Sequence, residues 1–89
     1  MAKYLVIFDN DSSNANSPKA VAIRSKLELL PKTKWFQHLP SVIILESELS
    51  EKDVYSSIED IAGKTRILVV EFDKFSTNDD RTKDWMNNN

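Results

Sequence analysis

Few side chains in this sequence are equipped for chemistry, and the clearest are two aspartates close together. Asp9 and Asp11 follow the apolar run Tyr4 to Phe8. Hard cations such as Mg2+ or Mn2+ take oxygen ligands, often one or two carboxylates completed by water and phosphate. An ion so held polarises a phosphate or lowers the pKa of bound water. Asp9 is therefore the first candidate for a catalytic, metal-holding role, with Asp11 as a possible second ligand. Asp9, Asn10 and Asp11 are also good strand terminators and turn builders, and turn statistics favour that role for Asp11. His38, the only histidine, is the second catalytic candidate, as a general acid or base near neutral pH. No carboxylate beside it in sequence orients it, which favours a structural role. Lys19, Arg24, Lys26, Lys32 and Lys34 are candidate nucleic-acid contacts that could track a phosphate backbone; the competing reading is a solvated helix face. Ser12 and Ser13 have no neighbouring base and are not candidate nucleophiles.

Composition narrows the possible chemistry. The 89 residues contain no cysteine, one histidine and one glycine. A disulfide framework, a thiol nucleophile and a zinc finger are excluded. A single glycine cannot write a phosphate-binding or dinucleotide-binding loop. The net charge of −2 comes from 12 Lys+Arg against 14 Asp+Glu. It is unevenly spread: residues 1–45 carry +3 and residues 46–89 carry −5. Strong nucleic-acid binders show a basic excess because phosphate neutralisation dominates their affinity. Only the first half can supply one. No segment approaches the roughly 20 apolar residues of a membrane span, and the first apolar run is too short for a signal peptide. The cytoplasm is the expected compartment, and no membrane partner is expected.

The elements that must position these residues follow from pattern. Lys3 to Phe8 is apolar on both faces, as a central strand would be. Ser17-Pro18 opens a helix, with Ser17 as cap and Pro18 at the first helical position. Ala20, Ile23, Leu27 and Leu30 form its inner stripe, and Pro31 stops it. Thr33 to Leu39 is a weaker strand of mixed polarity followed by Pro40, which suits an edge. Val42 to Leu45 is a second central strand. Ser50 caps the next helix, with Asp53 three residues on and Leu49 and Val54 placed to staple the cap. Val54, Ile58 and Ile61 keep helical spacing, and Gly63 falls where a C-terminal cap needs it. Arg66 to Glu71 is the fourth strand. Residues 1–75 form the domain; 76–89 read as a polar C-terminal tail, with Trp85 docked back and a disordered end.

Strand-helix-strand twice over, in a chain this short, is the α+β ferredoxin-like arrangement βαββαβ: a four-stranded antiparallel sheet with two helices on one face. Its usual order puts the first and third strands in the middle, as their two-sided apolarity demands. Ile67-Leu68-Val69-Val70 is long and apolar for an edge strand, and the second sheet face also needs cover. Both features point to a homodimer through Ile67, Leu68, Val69, Val70 and Phe72. The alternative is a monomer whose own segment from Phe72 to Trp85 provides the cover.

The run Trp35-Phe36-Gln37-His38-Leu39-Pro40-Ser41-Val42-Ile43-Ile44-Leu45, continuing through Leu49-Ser50, sits between a strand ending in Asp9 and a late Trp85. In this the chain resembles small bacterial proteins called SinR-like, in the superfamily of VapD ribonucleases and the small CRISPR-associated nuclease-like protein that partners the spacer integrase. The resemblance implies a ferredoxin-like fold and a homodimer built on the sheet. It also implies that Asp9 matches an aspartate which, in members described as nucleases, lies near the dimer axis and helps hold a divalent metal. The chain has Phe8 where the family often has tyrosine. The function expected from the resemblance is a nucleic-acid-associated homodimer, as a metal-dependent endonuclease on RNA or DNA. The alternative expectation is a catalytically silent adaptor, inhibitor or regulator acting through protein partners.

Overall fold

A computed structural model of the chain describes residues 1–9 and 17–89. The elements run β1 (Ala2–Phe8), α1 (Pro18–Glu28), β2 (Thr33–Leu39), β3 (Val42–Ser47), α2 (Glu51–Ala62), β4 (Ile67–Phe72) and α3 (Asp80–Asn88). The four strands form one sheet in the order β2-β3-β1-β4, and every neighbouring pair is antiparallel. This is the expected α+β ferredoxin-like topology, with a third helix added at the C-terminus.

Local chemistry explains the boundaries. Ser17 accepts a hydrogen bond from the Ala20 amide and caps α1. Ser50 accepts from the Asp53 amide and caps α2. Each bond satisfies a donor that the first helical turn leaves unpaired. α1 ends before Pro31 forces it to: the Leu29 and Leu30 amides bond to Lys26 and Leu27 three residues back, tightening the last turn. Gly63 closes α2 at φ +58° and ψ −117°. The positive φ is as expected, but this ψ lies outside the left-handed helical region, in backbone space open chiefly to glycine.

Alternation along the strands builds two layers on the sheet. Tyr4, Val6 and Phe8 of β1 and Ile43 and Leu45 of β3 pack with Ala20, Ile23 and Leu27 of α1 and Val54 and Ile58 of α2. These residues form the main core. Tyr4 is buried with them, and its hydroxyl donates to the Leu49 carbonyl at 2.6 Å. Burial, then the charges of Glu71, Glu51 and Asp53, raise its pKa above the ordinary phenol value.

The opposite sheet face carries the intervening residues, because successive strand side chains point to opposite sides. Leu5, Ile44 and Phe36 align there across β1, β3 and β2. α3 covers this face beside β2. Met86 and Thr82 of α3 are buried, and Trp85 stacks on Phe36 with ring centroids 5.6 Å apart. The Arg81 guanidinium lies over the same Phe36 ring at 5.3 Å. The segment read from sequence as a polar tail is a capped helix as far as Asn88, with Trp85 stacked on Phe36. The physical reason is spacing: Thr82, Trp85 and Met86 share one helical face that has a sheet to meet.

Candidate functional site

Asp9 stands just beyond β1, where its amide donates to the Arg66 carbonyl at 3.0 Å. Its carboxylate Oδ2 accepts from Arg66 Nη2 at 3.2 Å. The Asp9 side chain is 51 % exposed and the Arg66 side chain 89 %. Among the described residues, the charge paired with Asp9 is thus a cation of its own chain. Ile7, Phe8, Asp9, Arg66, Ile67 and Leu68 line a shallow cleft of about 290 Å3 here. Asp11 lies outside the described residues. Among the described residues, no group of three or more histidine, aspartate or glutamate side chains is placed to hold a metal ion.

The five basic candidates are spread over α1, the turn after it and β2. Lys19 donates through Nζ to the Ile61 carbonyl at 2.9 Å and the Ala62 carbonyl at 3.3 Å. It caps the C-terminal end of α2, where carbonyls are left over and a cation is favoured. Arg24 donates to Gln37 Oε1 at 2.7 Å and pairs with Glu28 at 3.7 Å. Lys32, in the turn before β2 at φ 53°, pairs with Glu48 at 3.4 Å. Lys26 is exposed near the end of α1, and Lys34 is exposed on β2. Three of the five thus serve acceptors within the chain.

His38 has the orienting carboxylate that its sequence neighbours did not supply. The register of β2 on β3 shifts between Gln37 and Leu39, so His38 sits at an irregularity in the edge strand. Such irregularities re-aim a side chain. His38 Nδ1 lies 2.7 Å from Thr82 Oγ1. Thr82 Oγ1 donates to Asp79 Oδ2 at 2.7 Å. With its one proton given to Asp79, Thr82 accepts from the imidazole, so the hydrogen-bond pattern puts the proton of neutral His38 on Nδ1. Asp79 Oδ1 also accepts from the Arg81 amide and caps α3. The Thr82 hydrogen bond is the largest influence holding the Asp79 carboxyl below its ordinary pKa; the Arg81 amide, Arg81 charge and His38 act in the same direction, and desolvation opposes them.

This relay borders a cavity of about 300 Å3 between the sheet and the segment from Phe72 to Met86. Leu5, Val42, Ile44, Phe72, Phe75 and Met86 make its apolar wall. His38, Lys74, Ser76, Thr77 and Thr82 contribute its polar groups. Sequence reasoning did not single out Lys74, Asp79 or Thr82. Only Asp79 left a signal, as an aspartate able to cap a helix ahead of an acidic first turn; nothing local marks Lys74 or Thr82.

The proposed dimer residues divide by face. Ile67 and Val69 pack against the main core under the helices, and Phe72 lines the cavity. Leu68 and Val70 point the other way and are 54 % and 37 % exposed. None of the described helices is long and apolar enough to cross a membrane. Comparison with protein-family models, curated proteins and solved structures gives no match to this chain.

Proposed function

We propose that this protein is a homodimeric module that works through protein–protein contacts, as an adaptor, inhibitor or regulator. The observation that carries the reading is the outer edge of β4. Among the described residues, β4 ends the sheet with β1 on one side only. Its six residues, Ile67 to Phe72, contain no proline and one charge, Glu71. Leu68 and Val70 are exposed on its open face. Sheet edges are ordinarily blunted by charge, proline or irregular pairing, as β2 is by its register shift at the other end. An antiparallel pairing of two β4 strands centred on Val69 sets Leu68 of each copy opposite Val70 of the other. It satisfies the free backbone groups and sets the exposed side chains of the two copies against one another.

A second reading, the metal-dependent endonuclease acting on RNA or DNA, draws support from Asp9, whose half-exposed carboxylate lies in a cleft at the end of β1. In the edge-paired dimer the two Asp9 side chains would stand roughly 20 Å apart along the strands, at about 3.4 Å per residue. They could not share one ion. An ion shared by the two Asp9 side chains would therefore require a different dimer.

Light scattering at micromolar concentration tests the first reading, with twice the 10.2 kDa chain mass expected for the wild type. Leu68→Lys combined with Val70→Lys should return the single-chain mass with unchanged circular dichroism. A wild type that stays at the single-chain mass overturns the dimer. Mg2+ or Mn2+ titrations with labelled RNA and DNA, on wild type and Asp9→Asn, test the second. Metal-dependent cleavage lost in Asp9→Asn would replace the protein-contact reading with the enzyme.

A further inference from the structure

The cavity under α3 does not include Asp9 and shares only Phe72 with β4, and its lining is chemically two-sided. About 300 Å3 is the lower end of the range of small-molecule pockets, roughly 300–1,000 Å3. Six apolar side chains form one wall, from Leu5 on β1 to Met86 on α3. Lys74, Ser76 and Thr77 come from the connection between β4 and α3 and form a polar border. Among the described residues, no carboxylate pairs with Lys74. Thr77 Oγ1 already accepts from the Asp79 amide at 3.1 Å, so its hydroxyl proton is available to donate outward. The polar border is thus one cation and hydroxyl donors, beside an apolar floor. His38 is fixed at the same cavity through Thr82, which holds it in one orientation.

We infer that this cavity binds a small amphipathic carboxylate: a compact aromatic or short aliphatic body on the Leu5–Ile44–Met86 floor, with its carboxylate at Lys74 and the Ser76 and Thr77 hydroxyls. One lysine and two hydroxyls match a single negative charge. A phosphate-bearing ligand would call for a richer donor set, such as an arginine fork or several converging backbone amides. The apolar floor supplies most of the driving force through buried area, and the border supplies the choice of anion over alcohol or amine.

Hexanoate and benzoate are the probes, with hexanol and hexylamine as controls, each titrated while methyl and amide NMR shifts are followed. Trp85 fluorescence gives a second readout, because Trp85 neighbours the cavity-lining Met86 on α3. The expected result is saturable binding of the two carboxylates, with shifts centred on Leu5, Ile44 and Met86. Hexanol should bind at least tenfold more weakly and hexylamine not at all. Lys74→Met should weaken the carboxylates about tenfold while leaving the spectrum of the free protein unchanged elsewhere. Ser76→Ala should weaken them less. No saturable shift at millimolar carboxylate overturns the site. Equal binding of hexanol and hexanoate, or no effect of Lys74→Met, overturns its anion selectivity. The mass measured by light scattering in the same samples shows whether the dimer is present, so failure of this site is read separately from failure of the β4 pairing.

Discussion

At the scale of single residues, the charges that looked available for chemistry are largely committed to the chain's own backbone and side chains. Lys19 caps α2, Arg24 holds Gln37, and Asp9 pairs with Arg66. Residue type alone does not reveal such commitments, because the partners are 13 to 57 positions away. Asp79 shows how one of them becomes visible in solution. Its carboxyl is held below the ordinary value chiefly by the Thr82 hydroxyl. A depressed folded-state pKa contributes stability above the unfolded value, and that contribution is lost as pH falls through the folded pKa. Docking of α3 should accordingly loosen at pH values below the ordinary carboxylate range, seen as a shift of the Trp85 indole NMR signal. Asp79→Asn should remove that acid transition, and an unchanged transition in this variant would assign it to another carboxylate. A second residue-scale prediction concerns Ser50, whose hydroxyl oxygen accepts from the Asp53 amide at 3.1 Å. Ser50→Ala should cost about 1 kcal/mol, and thermal unfolding should shift down by roughly 4–8 °C for a domain of this size.

At the scale of elements, the sequence carried the four strands and two of the three helices, because two-sided apolar runs and cap residues are local signals. β1 and β3 were legible as central from Val6, Ile7, Ile43 and Ile44 alone. α3 was missed for a physical reason: its composition is strongly polar, and only Thr82, Trp85 and Met86 share a buried or stacking face. That face has meaning only once the sheet supplies Phe36 and Ile44 to meet it. The His38 relay was hidden for the same cause, since Asp79 and Thr82 reach His38 only after α3 docks. Lys74 was hidden because nothing marks a lysine in a connection until the cavity beside it exists. If α3 is a satellite of the main core, its packing should be separable from it. Met86→Ala should cost about 2 kcal/mol, the low end for a buried methionine, because Met86 already borders an open cavity. Urea unfolding followed by the NMR signals of Trp85 should move to lower concentration more than unfolding followed by those of Tyr4, which lies in the main core. Equal shifts would show α3 and the α1–α2 layer unfolding as one unit.

At the scale of the whole molecule, size is the decisive constraint. The radius of gyration of 12.3 Å matches the roughly 12 Å expected of a compact chain this long, so α3 closes onto the body. Among the described residues, a main core of ten buried apolar residues, with Ile44 and Met86 buried on the other sheet face, leaves a domain of 89 residues with a narrow margin of stability. α3 answers half of the problem by covering the sheet face beside β2. It does not reach the outer edge of β4, where Leu68 and Val70 stay exposed. If a second copy covers that edge, association is linked to folding, and stability depends on protein concentration by mass action. Raising the concentration a hundredfold should then raise the wild-type midpoint on the order of 5 °C. Leu68→Lys with Val70→Lys replaces two apolar contacts by like charges facing each other across the pair. That variant should melt at one temperature whatever its concentration. The comparison separates two meanings of an exposed apolar edge. A wild-type midpoint that also ignores concentration would mean that the monomer tolerates the edge, and that β4 contributes nothing to stability through a second copy.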